Sequence, residues 1–249
     1  MIHRAAENDF SCNISSESAL RVFALKCAYG LDVPFIQYFA DENGSLAAIM
    51  DEFCVFHCAD ELNDEWRLFF TMHTDIAVLH TEEKIARSFD QFGQYNLISG
   101  DVLRISRPSS NFTLHEEALE MPPLREVYLL LSNTFMNVPR FDSWYVDVSH
   151  RVRHGCCHIV GKYSKNELAS VAMTVAETED IALIGGVATL PSYRGKGLAS
   201  SCITDLISRL PQETVLIAPS SVEAAQLYQK LGFVPYGTWA EVSLTPQEG

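Results

Sequence analysis

Residues 181–210 read IALIGGVATLPSYRGKGLASSCITDLISRL, and this stretch decides the fold. Ile181, Leu183, Ile184, Val187 and Leu190 form an apolar run of strand length, interrupted by Gly185-Gly186, a pair that suits a bulge. Pro191-Ser192-Tyr193 ends the strand, because proline has no N–H to give a ladder. After Arg194-Gly195-Lys196-Gly197, the residues Leu198, Cys202, Leu206 and Leu210 recur at helical spacing. A strand, a basic glycine loop and a helix thus follow one another. The start of such a helix leaves backbone N–H groups unpaired and carries about half a positive charge. Glycines let a ligand approach the backbone, and Arg194 and Lys196 add full charges. The joint is a seat for phosphate or pyrophosphate. It has neither the eight-residue spacing and Lys-Ser/Thr ending of a P-loop nor the G-x-G-x-x-G of a dinucleotide fold.

Two motifs carry a family resemblance. Arg194-Gly195-Lys196-Gly197-Leu198-Ala199 resembles the R/Q-x-x-G-x-G/A loop of the GNAT superfamily of acyl-CoA N-acyltransferases. Leu227-Tyr228-Gln229-Lys230-Leu231-Gly232-Phe233 begins 33 residues after Arg194 and is similar to that superfamily's L-Y-x-K-x-G-F segment. The resemblance covers residues 120–245. It implies an α/β (α+β) fold in which a mixed, mostly antiparallel central sheet is flanked by helices. It also implies acetyl-CoA as acyl donor, with an amine attacking the thioester directly in a ternary complex and no covalent cysteine. By that resemblance, Val187, Ala188 and Thr189 offer backbone groups to the acyl carbonyl and pantetheine arm, on a strand that diverges from its neighbour at 214–218. Arg194, Gly195, Lys196, Gly197, Leu198 and Ala199 seat the phosphates. Ser221 stands where members often carry an asparagine against the pantetheine. Tyr228 matches a tyrosine that approaches the sulfur and can protonate the leaving thiolate.

The chain departs from the family in two respects, Ser221 in place of that asparagine and the lack of a carboxylate on the central strand. Many members place a glutamate on the central strand, and Ile181–Val187 holds no carboxylate. Glu177, Glu179 and Asp180 read as decoration of a hairpin turn, while Asp147, His150 and His154 are candidates for relaying a proton through water. Two readings follow. One is an N-acetyltransferase, transferring an acetyl group to the amine of a small molecule or peptide. The other is a catalytically silent acyl-CoA-binding sensor or scaffold.

Composition is that expected of a soluble intracellular protein. The chain has 249 residues, 47% hydrophobic and 10% aromatic, enough for a packed core or two. No run of eighteen apolar residues predicts a membrane span, and the first residues lack the apolar core of a signal peptide. Seven cysteines without a regular framework suit reduced thiols, and the expected location is the cytoplasm. The formal net charge of −14 disfavours nucleic acid and anionic membrane surfaces and favours a cationic partner such as an amine. Residues 1–119 carry most of it, with 8 Lys and Arg against 19 Asp and Glu. Cys54-Val55-Phe56-His57-Cys58 and His154-Gly155-Cys156-Cys157-His158 supply soft ligands, but neither has paired C-x2-C spacing, so no metal is expected. Nothing in the sequence separates a monomer from a homodimer.

The division expected from the sequence is an N-terminal α+β module at 1–119 and a GNAT domain at 120–249. The first half reads as a helix over 15–31, strands at 45–50 and 53–58, a helix at 61–72, a strand at 76–80 and a helix at 81–92. No part of it matches the glycine loop, so it is expected to be a degenerate, non-catalytic GNAT-like module or an unrelated α+β domain. The second half reads as helices at 124–135 and 198–210, a segment at 141–153, a strand pair at 157–163 and 168–176, and a helix at 222–231. A last strand at 239–244 is expected to close the GNAT domain.

Overall fold

Capping residues set the first helix. Ser16 is in extended conformation and its hydroxyl accepts the Ala19 N–H at 3.1 Å, while Gly30 ends the helix at φ +76°, which suits glycine. A computed structural model describes residues 1–11, 13–89, 96–106, 119–135 and 138–244. In chain order they form β1 (His3–Arg4), a 3-10 turn (Glu7–Ser11), α1 (Glu17–Tyr29), β2 (Gln37–Ala40), β3 (Leu46–Met50), β4 (Phe53–His57), α2 (Asp64–Met72), β5 (Val78–Thr81), α3 (Glu83–Phe89) and β6 (Asn96–Ser106). There follow β7 (Leu119–Glu120), α4 (Leu124–Ser132), α5 (Phe141–Arg153), β8 (Ile159–Ser164), β9 (Glu167–Glu177), β10 (Ile181–Thr189), a 3-10 turn (Pro191–Tyr193), α6 (Leu198–Arg209), β11 (Thr214–Ile217), α7 (Val222–Lys230) and β12 (Val234–Ser243). Among the described residues no helix is long and apolar enough to cross a membrane.

The chain divides into two compact units. Unit 1 is Met1–Val102 with the last strand from Pro235, and unit 2 is Leu103–Val234. This partition differs from the division at 119/120 expected from the sequence. The reason is pairing: β12 does not close the second half but lies antiparallel to β5, with Ala240 opposite Thr81 and Ser243 opposite Val78. Strand order in unit 1 is β1-β2-β3-β4-β5-β12-β6, and only β4 with β5 is parallel among its registered pairs.

The strands β3 and β4 feed two cores because their side chains alternate. Ala47, Ile49, Cys54 and Phe56 face α2 and α3, packing with Trp66, Phe70, Ile85 and Phe89. Leu46, Ala48 and Val55 face α1, packing with Val22 and Phe23. Trp66 is fully buried and donates its indole N–H to Asp41 at 2.8 Å, which satisfies its polar atom. The strand β6 was not foreseen from the sequence. Gly100 lies at its middle, where a Cβ would fall 2.8 Å from Nε1 of Trp239 on β12.

Glu17 sits at the first position of α1, 2% exposed, bonded to Arg21 and to His80 Nε2 at 2.7 Å. Burial pushes its carboxyl up, but Arg21 and His80 together outweigh that and hold it at about 2. His80 is lowered most by burial, but Glu17 and Glu241 together raise it above its ordinary value. The two contribute with opposite signs. Stabilisation from Glu17 is complete above its unfolded value of 4.5 and is lost as pH falls toward 2. That from His80 is complete below its unfolded 6.5 and is lost as pH rises through its raised folded value. Acid titration followed by circular dichroism is therefore expected to show a loss of stability between pH 4.5 and 2 that Glu17→Gln flattens.

Unit 2 is ordered β6-β11-β10-β9-β8-β7, with the last residues of β6 supplying its edge. Leu103–Ser106 pair antiparallel to β11, and β11 runs parallel to β10. One face packs α6 and α7 through Cys202, Ile203, Leu206, Tyr228 and Phe233 onto Ala182, Ile184 and Val215. The other packs α4 and α5 through Val127, Leu131, Trp144 and Val148 onto Val171, Met173 and Ala188.

Candidate active site

The site begins where two parallel strands stop matching. Ile181 to Ile184 pair with Thr214 to Ile217, and there β11 ends while β10 runs on to Thr189. The β9 side loses register between Gly185 and Ala188. Both glycines are required. Gly186 takes φ +55°, and a Cβ on it would fall 2.8 Å from Met173 Cγ, while one on Gly185 would fall 2.7 Å from Val175 Cγ1. The bulge turns the end of β10 away from β11 and leaves the edge of Val187–Thr189 without a strand partner on that side. Ser170 of β9 fixes this end from behind: its hydroxyl donates to the Ala188 carbonyl at 3.1 Å and meets Thr189 Oγ1 at 2.8 Å.

The glycine loop follows directly. Gly195 and Gly197 take φ +73° and +79°, and a Cβ on either would meet nothing within 4 Å, so open space faces the loop. Gly197 caps α6 with no side-chain bond, leaving the first N–H groups of the helix available. Arg194 donates its Nε to the Thr189 carbonyl at 3.2 Å, and Lys196 lies over the Tyr193 ring at 4.8 Å. Tyr193 in turn donates to Glu167 at 2.8 Å, tying the turn to the start of β9. The helix behind the loop is pinned by a buried pair, Lys162 Nζ to Asp205 Oδ2 at 3.0 Å. Glu167, Ser170, Lys162 and Asp205 were not singled out from sequence, since each acts through a residue distant in the chain.

Ser221 follows β11 and caps α7, its hydroxyl accepting the Ala224 N–H at 3.2 Å, so its oxygen is already engaged. Tyr228 lies about two turns further along α7, 5% exposed, in the same cluster that Val187 packs against. Burial pushes its phenol up to about 12. Its hydroxyl makes no hydrogen bond with any described residue and stays protonated at neutral pH. Val187, Ala188, Thr189, the residues Arg194 to Ala199, Ser221 and Tyr228 are thus gathered at one end of unit 2.

The candidates for a base are placed elsewhere. Asp147 is held by Arg151, which also donates to the Val175 carbonyl at 3.1 Å. His150 and His154 stack on each other at 4.1 Å at the C-terminal end of α5. Glu177 does not decorate a turn: it is 4% exposed and accepts from His158 Nδ1 at 2.9 Å, from Thr174 and from Gln212 at 3.4 Å. It closes the end of β9 opposite the glycine loop, because a carboxylate buried there needs all those donors. Among the described residues no group of three or more His, Cys, Asp and Glu is arranged to hold a metal.

A strand that leaves its parallel neighbour beside a glycine loop at a helix start defines the acyl-CoA N-acyltransferase class of fold. Comparison with known proteins adds to this: residues 124–233 match the model of the acetyltransferase (GNAT) family. Solved structures extend the likeness in fold to the whole chain. A GCN5-related N-acetyltransferase from Sphaerobacter thermophilus is 14% identical, with 97% of this chain and 94% of that one covered and a TM-score of 0.61. A tandem GNAT protein from the clavulanic acid biosynthesis pathway is 12% identical, with coverage of 100% and 99% and a TM-score of 0.56. A Drosophila protein of 9% identity covers 99% of each chain at a TM-score of 0.67. No curated protein sequence matches the chain.

Proposed function

We propose that the chain is an acetyl-CoA-dependent N-acetyltransferase acting on the amine of a small molecule or peptide. The observation that carries this reading is the unpaired edge of Val187–Thr189 ending at an uncapped helix start. In this reading Arg194, Lys196 and the N–H groups of Gly195 to Ala199 seat the pyrophosphate of acetyl-CoA. The backbone of Val187, Ala188 and Thr189 holds the pantetheine arm and polarises the thioester carbonyl. Ser221, whose hydroxyl caps α7, stands beside the same arm. The amine nitrogen attacks the thioester carbon and a C–N bond forms. The C–S bond then breaks as the Tyr228 hydroxyl gives its proton to the sulfur. The nitrogen sheds its own proton to water, since Asp147 and Glu177 are committed to Arg151 and His158.

That lack of a carboxylate at the wedge favours a second reading, a module that binds acyl-CoA and leaves it intact. Thiol release measured over a panel of amines, with acetyl-CoA binding followed by calorimetry, separates the two. The enzyme binds acetyl-CoA and releases coenzyme A with at least one amine. Binding without release from any amine in the panel supports the silent module. The division of labour proposed here leaves the residues 1–119 out of catalysis, because they contain no phosphate-seating loop.

A further inference from the structure

Unit 1 contains a polar cavity of about 330 Å³ that plays no part in the reaction above. At roughly 30 Å³ for each liquid water, it has room for a ligand of about ten non-hydrogen atoms. Its wall includes Ser16 and Glu17 at the start of α1, His57 at the end of β4, Glu82 after β5, and Lys84. His57 is 5% exposed, and its Nδ1 lies 3.3 Å from Glu82 Oε1 and 3.1 Å from Ser16 Oγ. Ser18 donates to the same Glu82 oxygen at 2.6 Å. Burial raises the Glu82 carboxyl, but the donors His57, Ser16 and Ser18 together hold it below the usual range. An ionised Glu82 keeps the His57 proton on Nδ1. The other nitrogen, Nε2, has no partner among the described residues, although the ring lines a cavity and is almost wholly buried.

We propose that this cavity binds a small monocarboxylate, held by His57 Nε2 and the first N–H groups of α1, with Lys84 at the mouth. The Ala19 N–H is spent on Ser16, which leaves those of Glu17 and Ser18 at the positive end of a 13-residue helix. The Glu17 carboxylate is already compensated by Arg21 and His80 and does not oppose an anion. A carboxylate on Nε2 binds together with a second proton taken up from water onto the His57 ring, so that it and Glu82 each meet an N–H. Glu82 also sets the limit on charge: a phosphate dianion would place a second negative charge beside it. Coenzyme A is disfavoured because the turn after β4, Cys58-Ala59-Asp60-Glu61-Leu62-Asn63, offers two acids and no glycine or cation to a pyrophosphate.

Amide and imidazole spectra of the full chain, titrated separately with acetate, butyrate, inorganic phosphate and acetyl-CoA, test this. Butyrate and acetate are expected to shift the Glu17 and Ser18 amides and the His57 ring, with phosphate weaker at least fivefold. His57→Gln and Lys84→Met are each expected to weaken butyrate at least fivefold. Lys84 is exposed, so its variant decides the matter if His57→Gln does not fold. Unmoved signals with both carboxylates, equal butyrate binding in Lys84→Met, or a response to acetyl-CoA alone would overturn the proposal.

Discussion

Tyr228→Phe is expected to slow acetyl transfer on the order of a hundredfold while acetyl-CoA affinity stays within twofold. The ring stays in its cluster with Phe233, so folding changes little and only the hydroxyl is lost. Burial raises the phenol to about 12, which makes it a reluctant acid toward a thiolate and ties its proton to the moment of C–S cleavage. The loss should accordingly grow as the leaving thiol becomes more basic. Steady-state rates with acyl donors that differ in thiol acidity measure this. A wild-type rate in the variant would assign the proton to water.

The glycine loop carries the second large effect. Arg194→Glu and Gly197→Val are each expected to weaken acetyl-CoA binding at least tenfold, about 1.4 kcal/mol. The first reverses a charge at the mouth of the helix start. The second forces a β-branched residue to φ +79°, a conformation such residues rarely adopt, and so displaces the N–H groups of α6. Calorimetric titration reads both. Unchanged affinity in the pair would remove the loop from the phosphate site.

What was legible in the sequence was local. The strand–loop–helix joint and the bulge at Gly185-Gly186 each depend on a few adjacent residues. What escaped depends on partners far along the chain. The strand β6 went unread because Gly100 at its middle meets the Trp239 ring, 139 positions away, in a pairing no periodicity reveals. Glu177 read as a surface acid because its donors, His158, Thr174 and Gln212, meet only in the folded sheet. The strand at the C-terminus was recognised as a strand and assigned to the wrong neighbours for the same reason.

The return of β12 to β5 has a consequence for synthesis. Unit 2 is one continuous segment, whereas unit 1 needs a strand that is made only after unit 2. His80 meets Glu241 only after 161 further residues have been made, and Trp239 reaches Gly100 and His80 equally late. The first unit to begin is therefore the last to be completed, and until then β5 presents an open edge to the crowded cell. Stop codons that remove only the last dozen residues strike the half of the protein that was translated first.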